Sequence, residues 1–93
     1  MVGTGIKYFR KREGLTQKKL AHKVGTTQNH IAVIELNKVY PTIDLLKRIA
    51  KILKVPIPVL FWFSIDFKDF KNSTVASIMI QKINDMILYL IKQ

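Results

Sequence analysis

The stretch from Leu15 to Glu35, LTQKKLAHKVGTTQNHIAVIE, holds two runs of helical apolar spacing with one glycine between them. Leu20, Ala21 and Val24 form the stripe of the first run, and Ile31 and Ile34 form that of the second. Gly25 ends the first run after about two turns, because glycine takes the positive φ of a helix C-terminus without steric penalty. Helices this short are unstable in isolation and persist only when their apolar stripes are buried. Only about three or four residues connect them, so the two must cross closely, and Ala21 supplies the small side chain that such a crossing needs.

Helical spacing continues on both sides. Ile6 and Phe9 predict a first helix over about residues 4–12, with Lys7, Lys11 and Arg12 on its other faces and Gly14 ending it. Thr16 is placed to cap a second helix, 17–24, and Thr26 or Thr27 to cap a third running to about Leu36. In NKVYP, residues 37–41, Asn37 suits a left-handed turn. Thr42 then caps a fourth helix with Ile43, Leu46, Ile49, Ala50 and Leu53 along one stripe. Pro56 and Pro58 close that helix and open a short fifth, about 58–62, containing Leu60 and Phe61.

Beyond it, residues 63–67 alternate apolar and polar, which is a strand period, but so short a run suits an extended linker equally and is read as one. From Ser73 onward Ala76, Met79, Ile83, Met86 and Leu90 recur at three- and four-residue steps, with Ile80 and Ile87 widening the stripe. The expected architecture is therefore all-α: a five-helix domain over 1–62, an aromatic linker over 63–72 and a C-terminal amphipathic helix over 73–93.

Charge narrows the partner. Sixteen Lys and Arg against six Asp and Glu give a formal net charge of +10, and residues 1–55 hold twelve of the cations and three of the acids. A balance so far from neutral, confined to the compact part of the chain, points to an anionic partner. Cysteine is absent, which excludes disulfides and thiolate metal sites, and two histidines are too few to hold zinc unaided. With no Gly-rich phosphate loop and so few carboxylates, an enzyme is not expected, nor is a cofactor or metal. The N-terminus lacks an apolar signal core, and VPIPVLFWFSI, the longest uncharged apolar run, is shorter than the ~20 residues a bilayer span needs. A cytoplasmic protein without membrane attachment is the expectation.

Two short helices joined by a tight glycine turn, the second starting with exposed polar residues, are the layout of a helix-turn-helix. The run LTQKKLAHKVGTTQNHIAVIELNKVYPTIDLLKRIAKILKV resembles the phage repressor and Cro-like family, also called XRE-type, and the resemblance covers roughly residues 5–62. It implies a five-helix domain whose third helix enters the DNA major groove, in a protein that is most often a dimeric repressor or activator. It places Thr27, Gln28, Asn29 and Val33 against base edges. The Gln and Asn amides match the donor and acceptor of adenine, and the methyls of Val33 or Thr27 match that of thymine, so an A·T-containing half-site is expected. The same resemblance assigns Gln17 to a phosphate at a helix N-terminus and Asn37 with Lys38 to the backbone-gripping loop, with Lys18, Arg12 and Tyr40 beside them. It pairs Arg10 with Glu35. The segment ELNK departs from the family pattern by lacking a glycine after that glutamate, which leaves the turn to Asn37, and the third helix carries no Arg or Lys for bidentate guanine readout.

Plainer readings compete at several positions. The remaining lysines form mainly a solvated face, and His22 and His30 read as surface residues, His30 lying next to the expected contact surface. Phe61, Trp62, Phe63, Phe67 and Phe70 read as core or as the seam of a dimer before they read as a ligand pocket. The C-terminal stripe is too wide for a solvated helix. It folds onto its own domain, pairs with its twin, or binds another protein. A membrane is disfavoured because the polar face is not lysine-rich. The favoured reading is a homodimer built on Met79, Ile83, Met86, Ile87 and Leu90, and the alternative is an antitoxin-like module that holds a protein partner with this helix while repressing its own operon.

Overall fold

The computed structural model describes residues 1–65 and 73–92, with side chains in the last helix from residue 77 onward. All regular structure among them is helical: α1 (Gly3–Arg12), α2 (Gln17–Val24), α3 (Gln28–Glu35), α4 (Ile43–Leu53), α5 (Ile57–Trp62) and α6 (Ser73–Ile91). Threonines start three of these helices. The hydroxyls of Thr16, Thr27 and Thr42 accept the backbone N–H of Lys19, His30 and Leu45, each satisfying one donor that a helix start leaves unpaired. The cap of α3 is thus Thr27, not Thr26. Gly14 and Gly25 take left-handed conformations after α1 and α2, at φ 71° and 77°, and Asn37 and Lys54 do so after α3 and α4, at φ 60° and 62°.

α1 begins differently. Val2 stands at its cap and offers no side-chain acceptor. Its first-turn donors are met from far along the chain: Gly3 N–H donates to Asn37 Oδ1 at 3.0 Å and Gly5 N–H to Ser64 Oγ at 2.7 Å. Ser64 in turn donates to Leu60 O at 2.8 Å. The start of α1 is clamped between the turn after α3 and the turn after α5. Both contacts require glycine, since a β-carbon on Gly3 would lie 2.0 Å from Ile34 O and one on Gly5 1.9 Å from Leu60 O.

The core draws on every helix from α1 to α5, with Val2, Ile6 and Phe9, then Leu20, Ala21 and Val24, Ile31 and Ile34, the apolar side of α4, and Leu60. One expectation is corrected here. Ile43 is 69% exposed, and Leu45 occupies the core beside Leu46, Ile49, Ala50 and Leu53. At 100° per residue Ile43 lies just beyond the Ala50 edge of that stripe, and the way α4 is laid on its neighbours leaves this first residue outside.

Residues 63–65, expected to open a linker, turn back onto α1. The Phe63 ring stacks on Tyr8, centroids 4.9 Å apart, and meets Phe9 edge-on at 4.8 Å. Phe61 and Phe63 remain exposed while Trp62 is half-buried. The expected linker residues 66–72, with Phe67 and Phe70, lie outside the described residues, as do the Ala76 side chain and Gln93. Within α6, Met79, Ile83 and Met86 are half-buried, and Ile78, Ile80, Ile87, Leu88, Leu90 and Ile91 are exposed. No described helix is long and apolar enough to cross a membrane.

Candidate nucleic-acid interface

α2 and α3 pack together through Leu20, Ala21 and Val24 on one side and Ile31 and Ile34 on the other. The turn between them is closed by Gly25, after which Thr26 N–H donates back to Ala21 O at 2.9 Å. This places Thr27 as the first residue outside the turn, with its hydroxyl on the third helix's own backbone. Because Ile31, Ile34 and Glu35 face inward, Asn29 and Val33, four residues apart, fall on the opposite side. Gln28 and Asn29 are exposed and Val33 half-buried, so Asn29 and Val33 share the outer side of α3, and Gln28, seven residues before Glu35, stands exposed in the first turn above the Glu35 side.

A buried polar network fixes the far end of that helix. Glu35 receives Arg10 Nε at 2.6 Å and Arg10 Nη2 at 3.0 Å, and Gln17 Nε2 donates to its Oε1 at 3.1 Å. Arg10 Nη1 meets Leu15 O at 2.8 Å. The network ties α1, the start of α2 and the end of α3 into one unit. Gln17 is half-buried, with its amide turned to Glu35; what α2 offers at its N-terminus is the Thr16-capped turn with Lys18 and Lys19 exposed. A shallow groove lined by Thr16, Lys18, Lys19, His22 and Lys23 continues along this face.

Beyond α3 the side chain of Asn37 is occupied with α1, accepting from Gly3 N–H and donating from Nδ2 to Thr4 Oγ1 at 3.1 Å. Lys38 and Tyr40 are exposed, Tyr40 to 69%. Leu36, Val39 and Ile43 are exposed around them, an apolar surface that helical periodicity gave no reason to expect outside. A second local arrangement also escaped the sequence reading, a contact of 2.9 Å between Thr26 Oγ1 and His30 Nδ1.

Positive charge is in excess over residues 1–55. The three acids of residues 1–55 each lie against a cation: Glu35 on Arg10, Asp44 on Arg48 at 3.5 Å and Glu13 on Lys54 at 3.8 Å. The other cations of this region carry its excess charge. Among the described residues no group of His, Cys, Asp and Glu is arranged to hold a metal ion.

Known proteins share this arrangement. The helix-turn-helix family pattern matches residues 6–60. An uncharacterized HTH-type transcriptional regulator of Archaeoglobus fulgidus is 38% identical over 60 residues, which are 64% of this chain and 86% of the relative. The crystal structure of SinR, the master regulator for biofilm formation, in complex with DNA aligns with a TM-score of 0.61 and 32% identity over 66% of this chain and 98% of its own. A SinR/SinI protein complex aligns over 100% of both chains with a TM-score of 0.63 at 23% identity, a likeness of fold. With the matched pattern spanning the five-helix domain and its capped, polar-fronted third helix, the chain belongs to the XRE-type helix-turn-helix family of DNA-binding transcriptional regulators.

Proposed function

We propose that the chain acts as a homodimeric regulator that reads a palindromic double-stranded site through α3. The observation that carries this is the two-sided character of α3: Ile31, Ile34 and Glu35 are buried, while Gln28 and Asn29 are exposed in its first turn and Val33 follows one turn beyond Asn29. Thr27, Gln28, Asn29 and Val33 contact base edges, with the two amides favouring adenine and the Val33 methyls favouring thymine. Lys18, Lys38 and Tyr40 reach phosphates, as do the backbone at Gln17 and the turn at Asn37. Residues 1–62 form the DNA-binding domain and 73–93 the dimerisation helix, pairing through Met79, Ile83, Met86, Ile87 and Leu90. Two copies then set their α3 helices about 34 Å apart, one turn of duplex.

Selection of bound genomic fragments tests this by returning half-site and spacing together. On the selected site Gln28→Ala weakens binding by ~1–3 kcal/mol and relaxes preference at one base pair, while affinity for random DNA holds. Equal weakening on both duplexes defeats base readout by Gln28.

The uncovered apolar side chains of α6 favour one second reading, in which this helix holds a different protein, as an antitoxin does, while the domain represses its own operon. A chain of a SinR/SinI protein complex has the same overall fold, so a protein partner is compatible with such an architecture. A dissociation constant for self-association tight enough to keep α6 protected from hydrogen exchange at working concentration defeats this second reading.

A further inference from the structure

We infer that His30 is a DNA-phosphate contact, made through Nε2 and strengthened when its imidazole is protonated. The inference rests on α3 being the helix that meets DNA. His30 lies in the first turn of α3 directly after Gln28 and Asn29, and it is half-buried, not a freely rotating surface side chain. Its Nδ1 is held 2.9 Å from Thr26 Oγ1, and its backbone N–H is held by Thr27 Oγ1 at 3.1 Å. Thr26 is itself fixed through its N–H to Ala21 O at 2.9 Å. The ring is therefore pinned to the turn between α2 and α3 by one nitrogen, and the other points away from that anchor.

A hydroxyl both donates and accepts, so the Thr26 contact survives either protonation state of the ring. When Nδ1 accepts, Nε2 carries the hydrogen; when the ring is protonated, both nitrogens donate and Nε2 carries charge as well. In these two states the outward nitrogen is a donor, which is what a phosphate oxygen requires; the neutral Nδ1–H tautomer leaves Nε2 an acceptor, so a bound phosphate selects the other two, and charge makes the bond shorter and stronger.

The neighbouring groups leave the anion to come from outside. α2 brings His22 and Lys23 in its last turn. From α4, Arg48 Nη1 lies 3.3 Å from where a β-carbon on Gly25 would stand, and Asp44 is engaged by Nη2 of the same arginine at 3.5 Å. From α1, Arg10 faces the opposite end of α3, where it holds Glu35 together with Gln17. Each carboxylate of residues 1–55 thus lies against an arginine or a lysine, and a DNA phosphate is the anion left to pair with an imidazolium at position 30.

The experiment measures affinity of the full chain for its selected duplex at pH 8 and pH 6, at fixed ionic strength and across a salt series. Wild type, His30→Gln, His22→Gln and Thr26→Val are compared, with thermal melts confirming the fold of each. Wild type binds about tenfold tighter at pH 6, and its salt slope steepens by about 0.9 per protomer, one more phosphate neutralised at each half-site. His22→Gln keeps this gain. His30→Gln loses it, and Thr26→Val reduces it. Retention of the full pH dependence by His30→Gln overturns the assignment, as does an unchanged affinity and slope in wild type. The underlying reading fails separately: Gln28→Ala then leaves discrimination between selected and random DNA intact.

Discussion

Arg10 and Glu35 meet in parallel across the domain, Nε to Oε2 and Nη2 to Oε1, with side chains only 9% and 2% exposed. They belong to α1 and to the end of α3, so the pair sets how α3 sits on the rest of the fold. Gln17 and the carbonyl of Leu15 complete the hydrogen bonding, leaving no buried side-chain donor or acceptor among the described residues unmet. Removing one partner leaves the other charge buried without compensation. Arg10→Met or Glu35→Leu alone is expected to destabilise the domain by ~3–5 kcal/mol, and the double variant to recover most of that loss, because two apolar side chains of similar volume replace a desolvated pair. Denaturant unfolding of the three variants measures it; single and double variants of equal stability would contradict the coupling.

Gly5 marks a close approach of α1 to α5. A methyl there would stand 1.9 Å from Leu60 O, a backbone atom that cannot rotate aside, and 2.9 Å from Ser64 Oγ. Gly5→Ala gains helix propensity yet is expected to lower stability by more than ~1–3 kcal/mol, the usual effect of overpacking, since relief requires the helices to separate. Ser64→Ala, which removes the acceptor for Gly5 N–H without adding bulk, costs ~1–3 kcal/mol. Thermal melts rank the two, and Gly5→Ala as the milder change would contradict the close approach.

What could be read from the residues was the local chemistry. Thr16, Gly25 and Thr42 each act within a few residues of themselves, so their roles follow from position, and the stripe Leu20, Ala21, Val24 faces inward as spacing demands. The Arg10–Glu35 pair came from family resemblance, since 25 residues separate the partners and nothing local links them. Three features stayed hidden for the same reason. Ser64 and Asn37 cap α1 across 59 and 34 residues, and Leu45 displaces Ile43 from the core because the orientation of α4 is set by its neighbours. The pinning of His30 by Thr26 spans only four residues, but Thr26 competed with Thr27 for the cap, and only the backbone geometry separates the two threonines' roles.

Asn37 performs two separable tasks. Its backbone adopts φ 60°, and its amide bridges Gly3 N–H and Thr4 Oγ1. Asn37→Gly retains the turn and loses only the bridge, whereas Asn37→Ala loses the bridge and strains the turn. Expected losses are ~1–2 kcal/mol for glycine and about 1 kcal/mol more for alanine. Both should fall on stability, with DNA affinity of the folded fraction nearly unchanged, because the side chain is committed to α1. Unfolding and binding measured side by side decide this; a normal melting temperature with weakened binding would instead assign the amide to phosphate.

Deletion of residues 73–93 separates folding from assembly. Among the described residues the buried core lies between Val2 and Leu60, and Ser64 clamps α1, so the shortened chain keeps all of the described packing of α1 to α5. It is expected to melt within a few degrees of the full chain at low concentration, because no core side chain is lost. Assembly should change sharply. Light scattering should show the full chain as a dimer and the shortened chain as a monomer. Affinity for a full palindrome should fall towards that for a single half-site, as the second domain is no longer held at high effective concentration. Half-site affinity itself should stay constant, since α3 and the cations around it remain in place. A shortened chain that still dimerises would move the dimer contact to the exposed aromatic seam of Tyr8, Phe61 and Phe63 or to the apolar surface around Leu36 and Ile43, and would free α6 for a different partner.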